Sequence, residues 1–562
     1  MSRPHGEEKG YLALILHAHL PFVRHPENRH HLEELWLFEA ITDTYLPLLD
    51  LMEGWVEDGI PFHLTMSITP PLASMLADPL LQRRYVEHLE RSIALAHREM
   101  RRTQHQPHVH RLARMYRDRF LHARKAFLQR YHADLLNAFS RFRAHGLELI
   151  ASAATHALLP LTEPHISAAA AQIRAGVEHH RQVFRETPCG FWLPECGYSP
   201  NLDRLLVEEG IRYTIVDTHG VLHARPRPLY AVYSPVYTPR GLAVFGRDVE
   251  TSKQVWSATE GYPGDPVYRE FYRDIGYDLP WEELAPYLPW GVRADTGFKY
   301  YRVTGRTHHK EVYDPDIAQE RAREHARNFV FNRIHQIRYL ARHMDRKPIV
   351  VAPYDAELFG HWWFEGPWFL DEVVRHIHRN QHEFCLTTPK KYLEEHPTHQ
   401  VVEVATSTWG YMGYFEVWLN GSNDWIYRHL HEASRRMQEL AEAFEHPTPL
   451  EERALNQAAR ELMLAQSSDW AFIMKTKTVV EYAVRRTKEH LHRFFLLADQ
   501  LEHRSVDASF LAALESRDNL LPWVDFRSYR SAPALPTSRG ESAGAAGTRA
   551  PASTTLPAFS RT

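Results

Sequence analysis

The sequence predicts an α/β fold whose sheet is mostly parallel and closed, or nearly closed, into a barrel. Three observations predict it. Short apolar runs recur at residues 11–16, 147–152, 211–217, 242–248 and 348–353, the pattern of strands buried on both faces. Longer stretches with helical periodicity separate them. Several runs end directly in a polar residue beside Pro or Gly, at the rim where barrel enzymes carry their chemistry.

The elements follow in order. Residues 11–16 form a first strand that ends in His17-Ala18-His19-Leu20-Pro21. Residues 33–54 read as a helix with Leu35, Phe38, Ile41, Tyr45, Leu48 and Leu49 on one stripe. Residues 62–67 are a second strand, and Pro70-Pro71 opens the next helix. Residues of about 82–145 read as a charged helical excursion from the barrel, with Leu121, Leu128, Tyr131, Leu135, Phe139 and Phe142 as its apolar stripe. The third strand, 147–152, leads to His156. A helix over 166–185 precedes Phe191-Trp192-Leu193-Pro194-Glu195-Cys196-Gly197, where a carboxylate sits between a rigid apolar run and a turn. The strand at 242–248 delivers Arg247. Residues 261–310 are rich in Tyr, Gly, Pro and Trp, which suggests a functional loop rather than a linker. A helix over 317–343 and a strand over 348–353 deliver Asp355, with Trp362 and Trp363 close behind. Residues 396–422 are loop-rich, and several helices follow from 423 to about 502. Asp469, beside Trp470, either belongs to a buried structural pair or reaches the cleft.

This gives a division into a catalytic barrel over 1–395, with insertions at about 82–145 and 250–310, and a C-terminal helical region over 396–528. A tail over 529–562, made of Ala, Pro, Ser, Thr, Gly and Arg, is expected to be disordered.

Composition narrows the class. The 562 residues, 44% hydrophobic and 24% charged, suit a globular protein with a sizeable core. A net charge of -4 gives no reason to expect nucleic acid or an anionic membrane as partner. Three cysteines without regular spacing argue against a disulfide framework or a zinc ribbon. The run at 11–16 is too short for a signal-peptide core, and no stretch reaches the length of a membrane span. A cytoplasmic enzyme is the expectation. Fourteen Trp, several of them in loops, fit a cleft that stacks on the apolar faces of sugar rings.

Glu195 and Asp355 are the best-placed carboxylates. A pair facing a sugar bond is the minimum equipment of a glycosidase: one attacks the anomeric carbon, the other protonates the leaving oxygen. Arg247 or a strand-end His would keep the nucleophile ionised. Trp256, Trp409 and Trp418 would stack against the substrate. The rival chemistry is metal-assisted hydrolysis or deacetylation, with His17, His19, His156 and Asp355 as ligands and Glu195 as base. A non-catalytic carbohydrate-binding protein is the third option, and two buried carboxylates without a role would be costly for it.

Five stretches carry a resemblance: His17-Ala18-His19-Leu20-Pro21; residues 148–156; Trp192-Leu193-Pro194-Glu195-Cys196; Tyr354-Asp355-Ala356-Glu357-Leu358-Phe359-Gly360-His361-Trp362-Trp363; and Ser468-Asp469-Trp470. Together they resemble glycoside hydrolase family 57, and within it the 1,4-alpha-glucan branching enzymes. The resemblance implies a (β/α)7 barrel with an inserted helical domain and a C-terminal α-helical domain. It implies Glu195 as nucleophile and Asp355 as acid/base, acting with retention and without cofactor or metal on an α-glucan of the amylose or glycogen type. It further implies glucan contacts at Arg247, Gly264, Trp409 and Asp469, and cleft aromatics at Trp256 and Trp418. It turns His17, His19 and His156 from metal ligands into substrate contacts. In one respect the chain departs from the family. Relatives carry a long loop with a Tyr near its tip, which is thought to keep water from the intermediate. Here the segment between Asp217 and Val244 is short, with Tyr230 or Tyr233 as a loose counterpart, which puts transfer in doubt and favours hydrolysis; an α-glucan hydrolase or a 4-α-glucanotransferase on the same scaffold is the alternative. The 270–300 segment is the one that would compensate.

Overall fold

The computed structural model describes residues 8–257, 260–305 and 307–530. The predicted tail lies, from residue 531, outside the described residues. Nine strands occur among the described residues: β1 Gly10–Ala18, β2 Leu64–Ile68, β3 Leu147–Ser152, β4 Gly190–Trp192, β5 Tyr213–Val216, β6 Val236–Tyr237, β7 Ala243–Gly246, β8 Ile349–Asp355 and β9 Phe384–Leu386. They form one sheet in the order β6-β7-β5-β4-β3-β2-β1-β8, with β9 on β1. Every pairing is parallel except β6 with β7. The seven strands β1–β5, β7 and β8 make the curled wall. Its two ends meet where Asp248 N–H, just past β7, donates to the Val351 carbonyl of β8 at 2.9 Å. This is a (β/α)7 barrel.

Alternation along the strands sorts their side chains. Tyr11, Ala13 and Ile15 point inward and pack with Ile150, Trp192, Tyr213, Ile215, Phe245 and Val351. Leu12, Leu14 and Leu16 face outward and join the helices in the larger core. A strand with both faces covered must be apolar throughout, which is why these runs lack polar residues.

The helical excursion is built from Pro79–Arg102 and Pro107–Lys125. Asp78 caps the first, accepting from Leu80 N–H and Leu81 N–H at 2.9 and 3.1 Å. The predicted stripe holds for Tyr131, Leu135, Phe139 and Phe142, all buried, but Leu128 is exposed. In the second helix the buried side is Leu112, Tyr116 and Phe120. A π turn over 126–130, with Tyr131 N–H donating to the Ala126 carbonyl, inserts a residue between the two halves and shifts the phase. The 270–300 segment packs on this excursion through Tyr116, Phe120 and Phe298. Buried Asp274 ties it together, accepting from Gly276 N–H, Thr296 N–H and the Thr296 hydroxyl.

The later helices are Trp425–Ala443, Pro449–Ala465, Ser468–Thr476, Val480–Glu502 and Ala508–Arg517. No helix among the described residues is long and apolar enough to cross a membrane.

Candidate active site

Register gathers the site. On the sheet His17 pairs with Ser67 of β2 on one side and with Asp355 of β8 on the other. Ser152 of β3 pairs with Trp192 of β4, three residues before Glu195. His17, Ser67, His156, Glu195, Arg247 and Asp355 all sit at or just past the C-terminal ends of parallel strands, on one rim.

Glu195 and Cys196 both have left-handed backbones, with φ of 61° and 49°. Two such non-glycine residues in succession cost about 1–3 kcal/mol each and persist only where the surroundings over-determine them. Here the chain around residues 407–409 does so. Tyr198 and Ser407 exchange backbone hydrogen bonds at 2.9 and 3.1 Å, and Trp409 N–H donates to the Glu195 carbonyl at 3.0 Å. The same loop reaches the carboxylate: Trp409 Nε1–H donates to Oε2 at 2.9 Å. From the helix Ser468–Thr476, the Ser468 hydroxyl donates to Oε1, also at 2.9 Å. Burial and nearby Asp469 raise the Glu195 pKa from its ordinary value, while the Trp409 and Ser468 donors and His19 oppose the rise.

Asp355 is treated differently. Its pKa is held well above the usual carboxylate range by burial, then by the charges of Glu357 and Glu195, with Arg247 opposing. Among the described residues no side-chain donor reaches its carboxylate. Two neighbouring acids are therefore split. One is held by two donors as an acceptor, and the other is left to carry a proton. Glu357 is a third acid that the sequence reading gave no role. It accepts from Tyr45 OH and from His19 N–H, and its pKa is raised to about 6, chiefly by burial.

The histidines correct an expectation. His17 and His156 are 1% and 3% exposed. His17 Nδ1 lies 2.6 Å from Ser67 Oγ, and its Nε2 lies 2.9 Å from His156 Nε2. His156 Nδ1 lies 2.8 Å from Ser468 Oγ. All four ring nitrogens are taken by protein partners, so neither residue has one left for a sugar hydroxyl or for a metal. His19 bonds Thr69 through Nδ1 at 2.9 Å and Asp469 through Nε2 at 3.0 Å. Burial pulls the His19 pKa down, but Asp469 outweighs it and the net shift is upward. The Asp469 carboxyl is pushed to about 2, burial being overcome by His19. His19, His156 and Asp469 do bring one ligand-type atom each within 4.8 Å of one another, each already hydrogen-bonded.

The aromatics divide. Trp409 is half-buried, packed edge-on against Trp192 and Trp256, with the Arg247 guanidinium 5.4 Å from its ring centre. Trp256 in turn meets half-exposed Trp362. Trp418, expected to line the cleft, is 1% exposed. Its ring lies under Gly410, where an added Cβ would come within 2.5 Å of it, so it supports the loop from below. The Arg247 guanidinium donates to Ser252 Oγ at 2.6 Å and lies 3.7 Å from Asp217. Gly264 ends a short turn that packs on the helix Pro315–His343 through Tyr262 and His325. Tyr230 and Tyr233 are at the wrong end of the barrel for a lid. The Tyr233 carbonyl accepts from Ile349 N–H at the start of β8, and Tyr230 lies against Arg346. In the 270–300 segment, Phe271 instead reaches His361, beside Trp362 on the rim.

Comparison with known proteins decides the family. The glycosyl hydrolase family 57 profile matches residues 13–405. This chain belongs to glycoside hydrolase family 57. A second profile, the C-terminal region of 1,4-alpha-glucan branching enzymes, matches residues 429–529. Among curated family 57 relatives, the 1,4-alpha-glucan branching enzyme TK1436 of Thermococcus kodakarensis is 33% identical, over 91% of this chain and 77% of the relative. The family 57 branching enzyme of Pyrococcus horikoshii superposes with a TM-score of 0.84 at 32% identity, covering 94% of this chain and 98% of that one. AmyC of Thermotoga maritima, described as an alpha-amylase, superposes at 0.87 with 44% identity, covering 93% and 99%.

Proposed function

We propose that this family 57 chain is a 1,4-alpha-glucan branching enzyme, with Glu195 as nucleophile and Asp355 as acid/base. The observation that carries the assignment is the unequal treatment of the pair. Among the described residues Glu195 receives two side-chain donors and Asp355 receives none. The ionised Glu195 carboxylate attacks the anomeric carbon of an α-1,4-linked glucose while Asp355 gives its proton to the departing 4-oxygen. The shortened chain leaves, and the rest stays as an ester on Glu195. Asp355, now a carboxylate, takes the proton of an incoming 6-hydroxyl. That oxygen displaces Glu195 and forms the α-1,6 branch with retained configuration. Water in place of the 6-hydroxyl gives hydrolysis.

Trp256 and Trp409 supply ring faces for the glucan, and Asp469, its carboxyl pKa held at about 2 and its side chain 15% exposed, accepts from its hydroxyls. Arg247 and Gly264 belong to the same binding surface. In this reading residues 1–395 form the catalytic unit, with insertions at about 82–145 and 250–310. Residues 396–528 complete the cleft, supplying Trp409 and Ser468. The three cysteines are free, which fits a cytoplasmic setting.

The test is to incubate amylose with the enzyme and count α-1,6 linkages against new reducing ends. Branches in excess of reducing ends are expected. Reducing ends without branches would place this chain with hydrolases on the same scaffold. The alpha-amylase description of AmyC and the position of Tyr230 and Tyr233 make that the outcome worth excluding.

A further inference from the structure

We propose that Ser67, His17, His156 and Ser468 form a one-directional hydrogen-bond chain whose task is to aim the Ser468 proton at Glu195. Ser468 is then a positioning residue for the nucleophile. The inference rests on Glu195 being that nucleophile.

The direction follows from counting protons. An ionised Glu195 only accepts, so the Ser468 hydroxyl must donate to Oε1. That uses its one proton, so Ser468 Oγ accepts from His156 Nδ1–H. Burial, with His19 beside it, holds the His156 pKa well below its ordinary value; the ring is neutral and its Nε2 has only a lone pair to offer. His17 Nε2 must then be the N–H donor across the 2.9 Å gap. His17 is likewise neutral, so its Nδ1 accepts from the Ser67 hydroxyl at 2.6 Å. No member has a choice left. The chain begins on β2, crosses β1 and the turn after β3, and ends on a helix of the C-terminal region. Stacking fixes the rings, with His17 on Trp192 at 4.5 Å and His156 on His19 at 3.7 Å between centres. Each bond polarises the next, so the last donor is stronger than an isolated serine.

Other charged groups facing Glu195 are His19 and Asp469 from the barrel rim and the helix Ser468–Thr476, and Asp355 from β8, with Arg247 and Glu357 acting on Asp355. None of them replaces the Ser468 proton at Oε1.

The experiment is the pH profile of kcat/KM for amylose consumption, branching and hydrolysis summed. Ser468→Ala removes the donor and is expected to move the acid limb upward by about one pH unit, the worth of one hydrogen bond to a charged group. Ser67→Ala, at the far end, is expected to move it in the same direction by less, and Ser67→Thr to restore it. An acid limb unmoved in Ser468→Ala overturns the proposal. A shift in Ser468→Ala with none in Ser67→Ala overturns the chain beyond Ser468. Glucan binding equal to the parent's shows that the variants are folded. A parent inactive on glucans at every pH would instead count against the functional reading.

Discussion

Two of the buried acid–histidine clusters among the described residues are built differently. One is the rim around Glu195 and Asp355. The other, in the C-terminal helices, joins Glu461, His490 and Asp518, all fully buried. There Arg493 lies 2.8 Å from Asp518 and 3.9 Å from Glu461, Arg486 lies 3.9 Å from Asp518, and His490 bonds Glu461 at 2.7 Å. Each carboxylate has a guanidinium at hand. On the rim Glu195 is met by the neutral Trp409 and Ser468 donors, and Asp355 faces the charges of Glu357 and Glu195 with Arg247, placed beside Asp217, opposing them. Compensated charge holds helices together, whereas uncompensated charge stores reactivity at the expense of stability.

The largest test of this contrast is at Glu195. Glu195→Gln should lower turnover by on the order of 10³-fold or more while keeping glucan affinity and the melting temperature. Asp355→Asn should follow closely for amylose, but turnover should be largely kept on a glucoside whose leaving group needs no proton. In the other cluster the pattern should invert. Arg493→Met leaves two buried acids short of a partner and should cost roughly 3–5 kcal/mol of stability, with kcat per folded molecule unchanged. A catalytic loss there without a drop in melting temperature would break the comparison.

A smaller, pH-dependent difference sharpens it. Burial and Glu461 push the Asp518 carboxyl up to about 6, from an ordinary 3.8. Between those values the folded state binds the proton more tightly than the unfolded chain. The contribution of Asp518 to stability is therefore full below about pH 4 and is lost as pH rises to about 6. The difference in unfolding free energy between the parent and Asp518→Asn should fall through that window. The smallest expected effect is that of a strong chelator: activity after dialysis against one should be unchanged. A loss restored by zinc would revive metal chemistry, at His19, His156 and Asp469, whose ligand-type atoms lie within 4.8 Å of one another.

Much of this was legible in the chain. Unbroken apolar runs marked the barrel strands because both their faces are covered, and Glu195 and Asp355 stood out because each follows such a run. The stripe through Leu128 failed because a π turn adds a residue that no repeat announces. Trp418 was misplaced because an indole under a loop and one on its surface look alike in sequence. The wiring of His17 and His156 was invisible, since it depends on a register across β1 and β2 and on Ser468, which lies 312 residues beyond His156. The signal was nevertheless present: Ser468 stood next to Asp469 in the motif, and only Asp469 was given a role.

The left-handed turn at Glu195 has a consequence for how the enzyme comes to life. Its clamp, Trp409, lies 214 residues further along the chain. A ribosome that has finished the first half of the barrel has made the attacking acid but not the loop that cocks it. Competence to cut sugar therefore arrives late in synthesis, and a fragment ending before that loop would be born disarmed.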